Sequence, residues 1–223
     1  MKDKMTQSTR SICTYAIVPV NESSAAKTRL ARTLTRRERA CLSLAMLSDV
    51  LDALRQTEGI RQILVVTRDI NAARLGARKG AHAISEGRAH GLNPAVRRGI
   101  RFAERESADQ VLIVPADVPL AKSSNFRKIL RMGRNARALI VPSYDLGGTN
   151  ALLLRPPRVM PISYGRDSFR RHCRLARKRN LRIRILKLQS VGLDADTPLD
   201  LVRIRSASGN TRSQRFLRKR SAH

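Results

Sequence analysis

The chain has 223 residues, of which 42% are apolar and 3% aromatic, and it contains no tryptophan. This length and composition predict a globular protein with a substantial aliphatic core, and they exclude a disordered chain. The 45 Lys and Arg residues outnumber the 17 Asp and Glu residues to give a net charge of +28, which predicts attraction to polyanions but does not indicate a fold.

The cysteines and the amino-terminal region favour a cytoplasmic protein without membrane contact. Cys13, Cys41 and Cys173 are far apart and lack the C-x-x-C spacing of zinc sites. The apolar run at 15–20 is too short for a signal peptide, and no window approaches the roughly 20 apolar residues that a membrane helix needs.

Predicted strands and helices alternate along most of the chain. The strands are predicted at 15–20, 63–67, 81–84, 111–114, 138–141, 151–154 and 183–188. The helices are predicted at 35–56, 70–79, 94–105, 123–132 and 168–178, with a last helix that begins at 198. This alternation is typical of an α/β protein with a mostly parallel sheet flanked by helices.

We expect one folded domain over 14–205, preceded by a flexible segment at 1–13. Residues 206–223 are rich in Arg and Lys and contain no acid, so we expect a disordered basic tail that activity does not require.

One carboxylate, Asp117, follows the apolar strand at 111–114 and lies between Pro115 and Pro119. In open α/β sheets, ligands bind at the carboxyl ends of the strands. Asp194 and Asp196 also precede a predicted helix, and the three acids together are suited to a shared magnesium ion. Turn and helix capping by these acids is an equally open interpretation.

Lys27 and Arg29 lie on a small, polar loop after the first strand. This loop contains neither G-x-G-x-x-G nor a P-loop sequence, so a dinucleotide fold and a P-loop ATPase are excluded. The two cations could hold a triphosphate together with backbone amides, although composition alone favours a solvated surface for them.

The histidines do not indicate a hydrolase, because neither His82 nor His172 has a nucleophile paired with it in the sequence. His172 lies on a basic helix and could face a phosphate or be buried. The segment 166–187 is strongly basic and could bind nucleic acid, but few aromatic residues interrupt it and a solvated face is favoured.

Taken together, these segments resemble the CofC family of guanylyltransferases, which make the phospho-acid donor for the deazaflavin coenzyme F420. The resemblance runs from about residue 16 to about residue 202. It rests on VPV at 18–20 with AKTRL at 26–30, GLN at 91–93, PADVPL at 115–120, GTNAL at 148–152, YG at 164–165 with SF at 168–169 and His172, and DADTPLDL at 194–201.

The resemblance implies a GT-A-type nucleotidyltransferase fold, GTP as donor and Mg2+ as cofactor. The acceptor would be a three-carbon phospho-acid, namely phosphoenolpyruvate, 2-phospho-L-lactate or 3-phospho-D-glycerate, and pyrophosphate would be released. The product would pass to the next enzyme of the F420 pathway. For catalysis, the resemblance implies Lys27, Arg29 and Asp117. For nucleotide binding it implies Lys27, Arg29, Gly91 and Asn93, and for metal binding Asp117, Asp194 and Asp196. For binding of the phospho-acid it implies Thr149, Gly165 and Ser168.

One position departs from the family pattern, because Asn21 stands where the family has a lysine after Pro-Val. This difference removes a cation from the expected phosphate loop. A related nucleotidyltransferase with another phosphorylated acceptor, or a non-catalytic basic protein that binds nucleic acid, are the alternatives that the sequence leaves open.

Overall fold

A single seven-stranded sheet runs through the protein, with helices on both of its faces. The computed structural model describes residues 12–20, 27–87 and 91–220. The strands are β1 (Thr14–Val20), β2 (Ile60–Thr67), β3 (His82–Ser85), β4 (Gln110–Ile113), β5 (Ala138–Pro142), β6 (Thr149–Leu154) and β7 (Ile183–Ile185).

The helices follow the predicted alternation, with two additions near the carboxyl terminus. They are α1 (Arg36–Arg55), α2 (Ile70–Arg78), α3 (Leu92–Arg105), α4 (Ser123–Gly133), α5 (Ser168–Lys178), α6 (Gln189–Gly192), α7 (Pro198–Ser206) and α8 (Arg212–Arg220). A short 3-10 helix also spans Thr28–Leu30. Among the described residues, none of the helices has the length and apolar character needed to cross a membrane.

The strand order is β3-β2-β1-β4-β6-β5-β7, and among the strands of the described residues β6 alone runs antiparallel to its neighbours. The mostly parallel sheet is therefore confirmed. Because β6 is reversed, its first residue lies at the same edge as the carboxyl ends of β1 and β4. The strands β2 and β3 lie on one side of β1, whereas β4 and the later strands lie on its other side. The boundary between β1 and β4 is therefore a switch point, and open α/β sheets bind ligands at such points.

The sheet is buried on both faces because its strands are continuous apolar runs. Adjacent residues of β1 face opposite sides, with Val18 packing in the cluster that includes α1 and α4 and Ile17 in the cluster that includes α3. A third cluster contains Leu30, Ala195 and Leu217, so it joins the segments after β1, before α7 and within α8.

The prediction of a disordered tail at 206–223 is wrong for the helix α8. A buried carboxylate of α1, Asp49, accepts hydrogen bonds from the backbone amides of Arg212 at 2.8 Å and Ser213 at 2.9 Å. Leu217 is buried in the third cluster. Thr211 and Gln214 bond reciprocally in a capping-box pattern, a local signal that the basic composition conceals.

Some sequence predictions fall outside the described residues. Asn21 lies there, and so does most of the segment at 1–13, of which only residues 12 and 13 are described.

Candidate active site

Three carboxylates meet at the carboxyl edge of the sheet. Asp117 follows β4, whereas Asp194 and Asp196 precede α7, and one carboxylate oxygen from each lies within 4.8 Å of the others. The backbone amide of Ala195 donates to the carbonyl of Asp117 at 3.1 Å, which fixes the two segments side by side. The structure thus brings together the three acids that the sequence predicts for a metal.

The local sequence explains why α7 begins directly after the acidic segment 194–197. Thr197 caps α7 and forms a capping box with Asp200, and Pro198 occupies the first turn. The side-chain amide of Asn150 donates to the carbonyl of Gly192 at 3.0 Å and to Oδ1 of Asp194 at 3.3 Å. The amide therefore ties the acidic segment to β6.

The electrostatics of the three acids favour a bound cation. Burial, followed by the neighbouring charges of Asp117 and Asp196, raises the pKa of Asp194 to about 6, against the opposing hydrogen bond from Asn150. Crowded, half-buried carboxylates repel one another, and a hard divalent cation relieves that repulsion through oxygen ligands. The residues present therefore fit a divalent metal.

Lys27 lies against these acids rather than in solvent. Its ammonium donates to Asp117 and, at 2.7 Å, to Oδ1 of Asp196, and its side chain is 11% exposed. Burial alone would lower the pKa of Lys27, but the two carboxylates overcome burial and raise it above the usual value. Arg29 is 76% exposed, and its Nη1 lies 3.9 Å from Oδ2 of Asp196.

A cleft of about 890 Å³ opens beside the acids. It is lined by residues that include Arg29, Asp117, Thr149, Gly165, Ser168, Asp194 and Asp196. The hydroxyl oxygens of Thr149 and Ser168 are 3.4 Å apart, and both residues are buried. Gly165 has a φ of +116°, in the region that favours glycine. The structure therefore gathers all three predicted acceptor residues on one wall.

Gly91 and Asn93 do not share one environment. Gly91 is exposed and precedes α3, and the following residue, Leu92, lines the cleft. The side-chain amide of Asn93 instead donates to the carbonyl of Tyr164 at 3.0 Å and accepts from its backbone amide at 2.7 Å. In this structure, Asn93 holds the segment before Gly165, which the sequence does not predict.

His172 is fully buried and is not one of the residues that line the cleft. Its Nδ1 lies 3.0 Å from the hydroxyl oxygen of Thr149, and its Nε2 accepts from the backbone amide of Ser163 at 2.9 Å. Burial, followed by the charge of Arg171, lowers its pKa to about 4. Its position four residues after Ser168 on α5 is the sequence signal for a shared helix face.

The cation–carboxylate cluster lies at the switch point of the α/β sheet, where open sheets of this kind bind ligands. A solved structure with a similar fold is a nucleotidyl transferase from Methanothermobacter thermautotroptrophicus, with a TM-score of 0.64, 16% identity and coverage of 93% of this chain and 99% of that one. This likeness shows the fold.

The family follows from the match of residues 14–222 to the model of the CofC-like guanylyl transferases. The chain belongs to this family and is therefore a nucleotidyltransferase. The match extends through α8.

Three curated relatives differ in the acceptor that they are named for. A phosphoenolpyruvate guanylyltransferase from Rubrobacter xylanophilus is 40% identical over 87% of this chain and 95% of the relative. A 2-phospho-L-lactate guanylyltransferase from a Methanocaldococcus species is 34% identical over 91% and 86%. A 3-phospho-D-glycerate guanylyltransferase from Colwellia psychrerythraea is 33% identical over 84% and 89%.

Proposed function

We propose that this chain transfers GMP from GTP to a three-carbon phospho-acid and releases pyrophosphate. A phosphate oxygen of the acceptor attacks the α-phosphorus of GTP. The bond from that phosphorus to the oxygen bridging the β-phosphate then breaks, so a new phosphoanhydride forms as pyrophosphate leaves. The observation that carries this proposal is the cluster of Asp117, Asp194, Asp196 and Lys27 beside the hydroxyls of Thr149 and Ser168 in one cleft.

The acceptor phosphate is already an anionic nucleophile, so the reaction needs no strong base. The difficulty is to bring two anions together, and catalysis therefore depends on positioning and charge neutralisation. The Lys27 ammonium has three N–H groups, of which two bind Asp117 and Asp196. The third can donate to a phosphate oxygen, and the exposed guanidinium of Arg29 adds a second cation.

We propose that the divalent metal is Mg2+, held by Asp117, Asp194 and Asp196. When bound, Mg2+ would neutralise phosphate charge and stabilise the leaving pyrophosphate. The nucleotide would also approach Gly91, because no side chain caps the N-terminus of α3 and a helix N-terminus favours anions.

The phospho-acid would bind at the part of the cleft formed by Thr149, Gly165 and Ser168. The hydroxyls of Thr149 and Ser168 can donate to its oxygens, and the missing side chain at Gly165 allows close approach to the backbone. Membership of the family supports a role in coenzyme F420 biosynthesis, with the product passed to the next enzyme.

Pyrophosphate release tests this function. Purified chain with Mg2+ should release pyrophosphate from GTP only when one of the three phospho-acids is present. Phosphoenolpyruvate is the first to assay, because it is the acceptor named for the 40% identical relative. Replacing GTP with CTP or ATP, or chelating the metal, should suppress release. Release without any acceptor, or no release with all three acceptors, would contradict the proposal.

A further inference from the structure

The acceptor wall is the part of the cleft formed by Thr149, Gly165 and Ser168. His172 contacts two separate parts of this wall. Its Nδ1 lies 3.0 Å from the hydroxyl oxygen of Thr149, which is the first residue of β6. Its Nε2 accepts from the backbone amide of Ser163, two residues before Gly165. The imidazole itself is fully buried, so it holds these groups without contact with solvent.

The contacts determine which ring nitrogen carries hydrogen. A backbone N–H can only donate, so Nε2 must carry a lone pair where it meets Ser163. The neutral ring then has its hydrogen on Nδ1, and Nδ1–H donates to Thr149. The hydroxyl of Ser168 also donates to Thr149, at 3.4 Å. Because Thr149 accepts both bonds on its oxygen, its own hydroxyl hydrogen remains available to a ligand in the cleft.

We infer that His172 is the positioning residue of the acceptor wall, fixing the hydroxyl of Thr149 and the segment before Gly165 in one geometry. Asn93 acts on the same segment, since its amide binds both backbone groups of Tyr164. This inference rests on the proposed function for the identity of the acceptor. It does not depend on that function for the hydrogen bonds themselves.

Two substitutions separate the two bonds of the imidazole. The amide oxygen of His172→Gln can replace Nε2 as acceptor for Ser163, but the variant cannot donate to Thr149. The amide nitrogen of His172→Asn lies closer to the position of Nδ1 and can still donate to Thr149. We expect His172→Gln to raise the KM for the phospho-acid about tenfold with the KM for GTP unchanged, and His172→Asn to raise it less.

A double substitution tests whether His172 acts through Thr149. Thr149→Val alone should also raise the acceptor KM about tenfold. The pair Thr149→Val with His172→Gln should add no more than about twofold beyond either single change. Multiplication to about a hundredfold would mean that the two residues act independently and would overturn the inference.

A matched control measures the general effect of losing a buried hydroxyl. Thr14 is the first residue of β1, is also buried, and accepts a hydrogen bond from the side-chain amide of Gln110 at 2.8 Å. Thr14→Val should lower the melting temperature while both KM values stay at the wild-type level. Equal effects of Thr14→Val and His172→Gln on the acceptor KM would reduce His172 to a structural role and overturn the inference.

A measurement on the wild-type chain separates this inference from the proposed function. Nitrogen-15 NMR of the imidazole rings should show His172 as a neutral ring protonated on Nδ1 at pH 7. An Nε2-protonated or charged ring would overturn the hydrogen-bond assignment even in an active enzyme. If the tautomer is correct but no phospho-acid supports pyrophosphate release, the proposed function fails while the assigned geometry stands.

Discussion

Asp117 contacts both segments that form the charged end of the cleft. Its carboxylate accepts from Lys27, and its carbonyl accepts from the amide of Ala195 between the other two acids. Asp117 thus connects the loop after β1 to the segment before α7. A change that keeps its shape but removes its charge should therefore affect chemistry more than folding.

We predict that Asp117→Asn lowers turnover on the order of 100-fold or more, with a near-normal circular dichroism spectrum. The amide remains isosteric but loses the negative charge that a metal and Lys27 require. Asp109 is a matched control, because its carboxylate accepts from the amide of Cys13 at 2.7 Å before β4 begins, at the opposite edge of the sheet. Asp109→Asn should retain turnover, and near-normal activity in Asp117→Asn would contradict the metal assignment.

The buried His172 predicts a pH dependence of stability. Its pKa is about 4 in the folded protein against 6.5 when unfolded, so the unfolded chain binds more protons between these values. The stability that the neutral, buried His172 contributes is therefore fully present above about pH 6.5, and it is lost as the pH decreases towards 4. The loss should be on the order of 3 kcal/mol, because one pKa unit corresponds to about 1.4 kcal/mol.

Chemical denaturation at a series of pH values checks this expectation. His172→Gln does not titrate, so the stability of the wild type relative to this variant should decrease from pH 6.5 to 4. A constant difference across that range would show that His172 is not buried as a neutral ring.

The helix α8 supports the site through the third hydrophobic cluster. Leu217 shares this cluster with Leu30, which follows Lys27 and Arg29, and with Ala195, which separates two of the acids. The guanidinium of Arg220 also donates to the carbonyl of Thr33 and, at 2.7 Å, to the carboxylate of Glu38. These contacts make α8 part of the framework that positions the charged residues.

We predict that deletion of 207–223 lowers the melting temperature by on the order of 10 °C and reduces turnover. The deletion leaves the buried carboxylate of Asp49 without its partners on α8, a loss of about 3 kcal/mol or more, and each kcal/mol is about 2–4 °C at this size. Deletion of 221–223 alone is the control and should change neither value. Full activity without α8 would contradict its supporting role.

Local signals in the sequence were sufficient for most elements and for the charged centre. The starts of the helices predicted from 35 and from 198 were found correctly, because the capping pairs Thr35–Glu38 and Thr197–Asp200 are only three residues apart in the sequence. Asp117, Asp194 and Asp196 could be grouped because each follows a strand or precedes a helix at a predictable edge.

The remaining features depend on contacts between distant residues. Asn93 binds a backbone group 71 residues away, and Asn150 binds backbone groups 41 and 42 residues away. No local sequence pattern specifies hydrogen bonds over such separations. The helix α8 was not predicted because its many cations indicate a solvated segment. In the structure, hydrogen bonds to Asp49 and the buried side chain of Leu217 hold α8 against α1.

The charge of the whole protein exceeds what the cleft requires. On the sheet face packed by α3 and α5, exposed cations include Arg97, Arg98, Arg101, Arg105, Arg170, Arg174, Arg177 and Lys178. A net charge of +28 attracts polyanions regardless of their sequence. We regard this attraction as a property of the surface, separate from transfer in the cleft.

We predict that the chain binds duplex DNA without sequence preference and that the affinity falls steeply between 50 and 200 mM salt, as counterion release requires. Fluorescence anisotropy with two unrelated duplexes measures both features. Joint replacement of Arg97, Arg98, Arg101 and Arg105 by Gln should reduce the salt dependence while pyrophosphate release stays unchanged. Salt-independent binding, or strong preference for one duplex, would contradict a purely electrostatic surface.

The proposed reaction joins two phosphates, so the bond that forms is the most direct observable. Phosphorus-31 NMR of the wild-type chain with Mg2+, GTP and each phospho-acid in turn should show one acceptor phosphate converted into a coupled phosphoanhydride pair, with pyrophosphate appearing in equal amount. Asp117→Asn should leave the starting signals intact. Pyrophosphate without a phosphoanhydride, or unchanged spectra with all three acceptors, would contradict guanylyl transfer as the function of this cleft.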